Sequence, residues 1–279
     1  MSASAVKVDV VQDTARWVAM ARARETERGD AIFRDPLART LAGEIGGDIL
    51  EHVRLHTWPI VARTYIIDQL VADAVRDGAD AIVNLAAGFD SRPFRMDLPP
   101  MLTWIEVDHP DIIADKEARL GNRLAACRLE RVALDLSHGG DRRRLLAKVA
   151  TQFRRVVVIS EGLLCYLEPQ DALTLASDIR AMPNTFRYIA DLNNKVLNKL
   201  VARRSGFYGT AQLKFGPEEG PHVFEPLGWK VVGATSILKT ADRLKRLPFL
   251  MWLLARLPDV PQCGGSVRPW SGVCVWEPS

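Results

Sequence analysis

The chain has 279 residues, 48% of them hydrophobic and 25% charged, with a net charge of +3. That balance fits a globular protein with one large core; it excludes a disordered or fibrous chain and gives no electrostatic reason to expect nucleic acid as a partner. The longest apolar run, Leu247 to Leu254, is interrupted by Pro248 and too short to span a bilayer. The N-terminus lacks the basic-then-apolar order of a signal peptide, so a cytoplasmic protein without stable membrane insertion is expected. Cys127, Cys165, Cys263 and Cys274 lie far apart, and the five histidines are scattered, so neither a disulfide framework nor a metal site is expected. The clusters Arg142–Arg144 and Arg154–Arg155 are read as solvated faces.

The first part, to about residue 78, reads as helical. Thr14 to Arg28 and Leu37 to Leu41 carry apolar residues at helical spacing, and Trp58 to Arg76 forms a longer amphipathic stretch. Thr57 is a candidate cap, Pro59 suits the first turn, and Gly78 suits the end. From Ala79 the period changes. Ala81–Ala86, Leu102–Val107, Leu129–Leu134, Arg155–Ser160 and Phe186–Asp191 are candidate strands, separated by helical stretches at Asp111–Ala126, Asp141–Thr151 and Pro169–Met182. Such alternation argues a doubly wound, mainly parallel α/β sheet. A polar, partly helical insertion follows at residues 192–225, and Trp229–Gly233 and Val273–Trp276 supply two late strands that close a seven-stranded sheet. Residues 241–257 are expected to form a buried helix, with a dimer or pocket wall and a membrane-surface helix as alternatives.

The chemistry concentrates at Val83-Asn-Leu-Ala-Ala-Gly-Phe-Asp-Ser-Arg92, a buried strand running into a turn of small residues. Ala87 and Gly88 let backbone approach a nucleoside cofactor closely. Asp108 follows Gly88 by 20 positions and ends the second strand, where a carboxylate can accept both ribose hydroxyls. A dinucleotide site wants three glycines; here the positions hold Ala86, Gly88 and Ser91, and Asp90 places a negative charge where a pyrophosphate would sit. S-adenosylmethionine has no phosphate and carries an ammonium, which favours the methyl donor over NAD.

Taken in order, Ala86-Ala-Gly-Phe-Asp-Ser-Arg92, Glu106-Val-Asp-His-Pro110, Ala133-Leu-Asp-Leu136 and Ser160-Glu-Gly-Leu-Leu-Cys-Tyr-Leu167 resemble the successive motifs of the leucine carboxyl methyltransferase family. The stretches Ala21–Thr26, Phe33–Ala38 and Arg268–Gly272 look like its bacterial branch, which includes polyketide O-methyltransferases of the tetracenomycin type. The resemblance covers almost the whole chain and implies a Rossmann-like class I methyltransferase fold. In this reading, residues 1–78 form a helical cap, 79–191 the cofactor-binding core, 192–225 a substrate-covering insertion and 226–279 the closing strands with an apolar helix. It further implies that Arg22 and Arg63 reach the methionine carboxylate, that Gly88 lies against the cofactor and that Asp108 binds the ribose. Asp135 and Leu136 would flank the adenine, and Glu161 would face the donor's amino group. Ala86 departs from the pattern, since most relatives have glycine there.

An in-line displacement on a sulfonium methyl asks mainly for alignment, a source of up to roughly 7–11 kcal/mol. A carboxylate acceptor is already ionised, whereas a phenol would benefit from a base; no His-plus-acid constellation stands at a strand end, which favours a carboxylate on a small molecule. Tyr166 is a candidate wall of the acceptor pocket. In the insertion, Lys195, Lys199, Arg203 and Arg204 could steer an acidic substrate, and Phe207 and Tyr208 pack on an aromatic one. A protein carboxyl-terminal methyltransferase, an NAD(P)-dependent oxidoreductase and a catalytically silent protein remain as alternatives, and a homodimer is left open.

Overall fold

A computed structural model describes residues 11–52, 56–205, 212–258 and 268–279. Seven strands form one sheet: β1 (Ala81–Leu85), β2 (Thr103–Asp108), β3 (Arg128–Ala133), β4 (Val156–Ser160), β5 (Thr185–Asn193), β6 (Trp229–Ser236) and β7 (Ser271–Pro278). Their order is β3-β2-β1-β4-β5-β7-β6; neighbouring strands pair in parallel except at β7, which runs antiparallel to both β5 and β6. This is the Rossmann-like methyltransferase architecture, with the late pair entering the sheet as the sequence suggests. The late strands are longer than the apolar pattern shows, because ladder pairing between β6 and β7 continues to Ser236 and Gly272.

Strand alternation sorts the side chains into two cores. Val83, Leu85, Val156 and Val158 face one layer with α6 (Gly139–Gln152) and α7 (Pro169–Arg180). Ile82, Trp104, Val157 and Ile159 face the other with α3 (Trp58–Arg76). Both β1 and β4 are buried on both faces, which explains their unbroken apolar runs. The helix α3 starts and stops where Pro59 and Gly78 place it: Pro59 sits in the first turn, and Gly78 takes a left-handed φ of 89°. Thr57 makes no side-chain cap, however; its carbonyl accepts from Val61 N instead.

The helices α1 (Val11–Thr26) and α2 (Ala38–His52, broken at Gly43) form a third, smaller cluster with Phe89 and Leu120 over the end of the sheet. The short α4 (Arg92–Arg95) and α5 (Pro110–Leu120) complete the first half. In the insertion, α8 (Lys195–Ser205) is described, whereas Phe207 and Tyr208 lie outside the described residues. Cys263 also lies outside them; Cys127, Cys165 and Cys274 are buried free thiols.

Two expectations need correction. The stretch 241–257 is not one buried helix. It divides into the end of α9 (Ile237–Arg243) and a short α10 (Met251–Ala255), since Lys245 and Leu250 both adopt left-handed backbone. Arg142 is not solvated either: it is buried, donating to Asp178 and to the Leu136 carbonyl.

Candidate active site

The chain leaves β1, moves outward through β2 and β3, then crosses back to β4. At that switch point the loops after β1 and β4 diverge and open a crevice, the usual ligand position in open α/β sheets. A cavity of about 430 Å³ occupies it, within the range of roughly 300–1,000 Å³ common for small-molecule sites. Its walls come from α1, α3, the carboxyl ends of β1, β2, β4 and β5, and from α8.

The β1 turn is held by backbone geometry. Ala86 and Gly88 both take positive φ, 54° and 49°, and Gly88 N donates to Asp108 Oδ2 at 2.6 Å. The other Asp108 oxygen accepts from His109 N at 2.7 Å. Each oxygen keeps a further lone pair, so the carboxylate can still accept two hydroxyls. Burial raises the Asp108 pKa above its ordinary value, although the Gly88 and His109 amides oppose the shift. A Cβ on Gly88 would meet the Ala15 methyl at 3.3 Å, so the glycine also keeps α1 close.

Elsewhere in the cavity wall, two strand ends meet one arginine. Arg63 on α3 donates from Nε to Glu161 Oε1 at 2.9 Å and from Nη1 to Asp191 Oδ2 at 2.9 Å. Glu161 Oε2 accepts from Arg92 Nη1 at 2.8 Å, and Arg92 also binds Asp90 and Asp68. Burial pushes Glu161 up, but Arg92 and then Arg63 outweigh it and hold the carboxyl below its ordinary pKa. Burial likewise disfavours the Arg63 cation, yet Asp191 and Glu161 raise its pKa above the usual value. Gly162, with φ 68°, donates to Asp191 Oδ1 at 2.6 Å; a Cβ there would press on the Arg63 guanidinium at 3.3 Å.

The structure brings Arg22, Arg63, Ala87, Gly88, Asp108, Glu161 and Tyr166 to this one cavity. Arg22 enters the wall already engaged, donating to Asp35 at 2.8 Å and to the Phe89 carbonyl at 2.6 Å. Asp90 also lines the cavity, but it is not a free charge: burial raises its pKa, and Arg92 foremost overturns that and holds it ionised and well below the ordinary range. Asp135 and Leu136 do not reach the cavity. Asp135 accepts from Ser137 N at 2.9 Å in a local turn and borders a separate surface depression with Pro110, Arg144 and Lys148. Leu136 packs against the core on the α6 side.

Sequence reading passed over three groups that matter here. Asp191 ends the candidate strand Phe186–Asp191 and lies two residues before the end of β5, so the strand-end signal that marked Asp108 was available for it too. Arg92 lay in a quoted motif, but its partners Asp68 and Glu161 are 24 and 69 positions away and invisible locally. His56 lines the cavity from the approach to α3, where no periodicity marks it.

Residues 15–180 match the family model for leucine carboxyl methyltransferase, which covers more than half of the chain. The chain belongs to the leucine carboxyl methyltransferase family. Within reach of it stands a Frankia alni protein named "putative S-adenosyl-L-methionine-dependent methyltransferase", 31% identical over 239 residues, covering 79% of this chain and 84% of that one. A Streptomyces avermitilis protein of the same designation is 38% identical over 174 residues, 58% of this chain and 61% of its own length. Among solved structures, a Thermobifida fusca protein named "putative methyltransferase" superposes with a TM-score of 0.59 at 15% identity, covering 98% and 96% of the two chains. A DUF574 family protein from Streptomyces avermitilis gives 0.57 at 13%, covering 94% and 96%. These two likenesses concern the fold. In this family member the cavity sits at the carboxyl edge of the sheet.

Proposed function

We propose that this family member transfers a methyl group from S-adenosylmethionine to an oxygen of a small molecule, most simply a carboxylate. The observation that carries the reading is Asp108, pinned by two backbone amides at the mouth of a glycine turn with one lone pair left on each oxygen. The walls fit the donor on two further counts. Asn84 Oδ1 is a buried acceptor at the cavity wall with no hydrogen-bond partner among the described residues, suited to an N–H of the donor. Of the carboxylates lining the cavity, Asp90, Glu161 and Asp191 are paired with guanidiniums, whereas Asp108 is held by backbone amides alone, an uncompensated charge that suits a positively charged donor.

When bound, the donor supplies an activated methyl on a positively charged sulfur. Asp108 would hold the ribose hydroxyls, and the Arg63–Glu161–Asp191 cluster would orient the amino acid end, with Arg63 toward its carboxylate and the acids toward its amine. Gly88 would let the turn close on the nucleoside. Asp135 and Leu136 as placed contribute no wall to this cavity, so the adenine is left to Asp108's neighbours at the β1 turn. Apolar residues of α8, with Tyr166 and Met251, would wall the acceptor. A carboxylate acceptor requires no proton transfer, so alignment suffices.

His56 favours a second reading, because it is a cavity-lining imidazole that could serve a phenol or alcohol as base. The two are separated by single His→Ala variants: full rate in all of them fits a carboxylate, and loss of turnover in His56→Ala alone indicates a hydroxyl. The donor assignment is tested by calorimetric titration with S-adenosylmethionine and, separately, NADH. Binding of the former that is lost in Asp108→Ala is expected; binding of NADH instead would remove the proposal.

A further inference from the structure

Nine large apolar side chains are exposed among the described residues, and six of them fall between positions 249 and 257. Phe249 is 88% exposed, and Leu250, Trp252, Leu253, Leu254 and Leu257 follow it. Ala255 anchors the turn inward, while Met251 faces the cavity. One short stretch thus presents an apolar knob outward and a cavity wall inward.

Between Asp242 and Asp259 the charged side chains of the stretch itself are all basic. Arg246 is engaged by Glu25 and Asp30, but Arg243, Lys245 and Arg256 are exposed. The Arg256 guanidinium lies 4.7 Å from the Trp252 ring centre, keeping the cation beside the apolar surface. A two-fold contact with a second copy would lay this patch on itself and oppose like charges. An anionic lipid surface accepts both the apolar tip and the basic rim, with the long basic side chains reaching the headgroups.

The cavity behind Met251 continues the same chemistry. Leu197, Leu200 and Val201 of α8, with Leu213 and Ile237, line it together with Met251. We infer that residues 249–257 dock the protein on an anionic lipid surface, and that its acceptor is an amphiphile, an oxygen-bearing head on a long apolar chain, taken from that surface past Met251. This rests on the methyltransferase reading for the chemistry at the head, but the docking itself needs no donor.

The test is flotation of the purified chain with vesicles of phosphatidylcholine alone and of phosphatidylcholine with phosphatidylglycerol. Binding to the anionic vesicles only is expected, weakened at least tenfold in a Phe249→Asp, Leu253→Asp double variant, whose altered side chains are exposed. Unchanged donor binding and unfolding midpoint would show the variant folded. Absence of flotation in the wild type overturns the docking, as does equal flotation by the double variant. Dimerisation by light scattering that the variant abolishes, without vesicle binding, overturns it in favour of a second copy. Palmitate should displace a fluorescent fatty-acid probe from the wild type and fail to do so in Met251→Asp; no palmitate binding by the wild type overturns the amphiphile. If donor binding fails while flotation holds, the methyltransferase reading falls and the lipid surface stands.

Discussion

Arg63 Nη1 and Asp191 Oδ2 lie 2.9 Å apart across 128 positions of sequence, joining the N-terminal helix layer to the end of the fifth strand. The same guanidinium holds Glu161. Two strand ends are therefore spaced by one side chain, and the cavity's shape depends on it.

Replacing Arg63 with Met would leave Asp191 without its cation and Glu161 with Arg92 alone. Removing one partner of a largely buried ion pair costs about 3 kcal/mol, here from a side chain 12% exposed. For a chain of this size that is a fall of roughly 6–12 °C in unfolding midpoint. The pH dependence has a definite sign. The depressed Glu161 pKa stabilises the fold above the unfolded value and loses that contribution as pH falls through the folded one. Scanning calorimetry should thus find the wild-type advantage held above pH 4.5, the ordinary glutamate value, and shrinking as pH falls below it. A constant gap would contradict the role given to the pair.

Asp108 behaves in the opposite sense. Its pKa is raised by burial, so its contribution to stability is full below the unfolded value and is lost as pH rises through the folded one. Hydroxyl donors on a bound nucleoside would favour the ionised form. Carbon-detected NMR of the carboxyl should place its midpoint above 3.8 in the free chain and lower with S-adenosylmethionine present. Donor affinity should weaken as pH drops through that midpoint. Affinity independent of pH across this range would remove Asp108 from the donor site.

Ala86 holds a left-handed φ of 54°, a conformation that costs an L-residue about 1–2 kcal/mol. Ala86→Gly relieves that cost but returns roughly 0.4–1 kcal/mol of unfolded-chain entropy. A small net gain is expected, ~1–3 °C in midpoint. A lower midpoint would show that the methyl contributes packing that outweighs the strain.

Gly162→Ala should be harmful. Its φ of 68° disfavours a side chain, and the new methyl would displace the Arg63 guanidinium. A stability loss of about 1–3 kcal/mol is expected, together with a weaker donor titration than the midpoint alone explains. Wild-type donor affinity in this variant would mean that Arg63 tolerates movement.

Much of this architecture was legible because local rules agreed with the global fold. Val156 to Ile159 is apolar throughout because β4 is buried on both faces, and α3 is punctuated by Pro59 and Gly78. The turn and Asp108 were legible because their spacing is short. What escaped notice depends on distant partners or on backbone without a marker residue. Arg142 is drawn inside by Asp178, 36 positions away. Lys245 and Leu250 take left-handed conformations that no glycine announces, although Pro248 between them already argues against one continuous helix. Asp135 obeys a local rule, accepting Ser137 N, where the family pattern suggests a ligand contact.

The position of β7 bears on how the chain assembles during synthesis. β7 lies between β5 and β6, so β6 has no sheet partner until Ser271–Pro278 arrives. Thirty-five positions separate Ser236 from Ser271, a delay of roughly 2–7 s at about 5–20 residues per second on the ribosome. During that interval β5 also presents an open backbone edge, and Trp229 cannot complete its cluster with Tyr188 and Trp276. The parallel strands β1 to β5 can close on one another first, while β6 waits for β7 to be inserted.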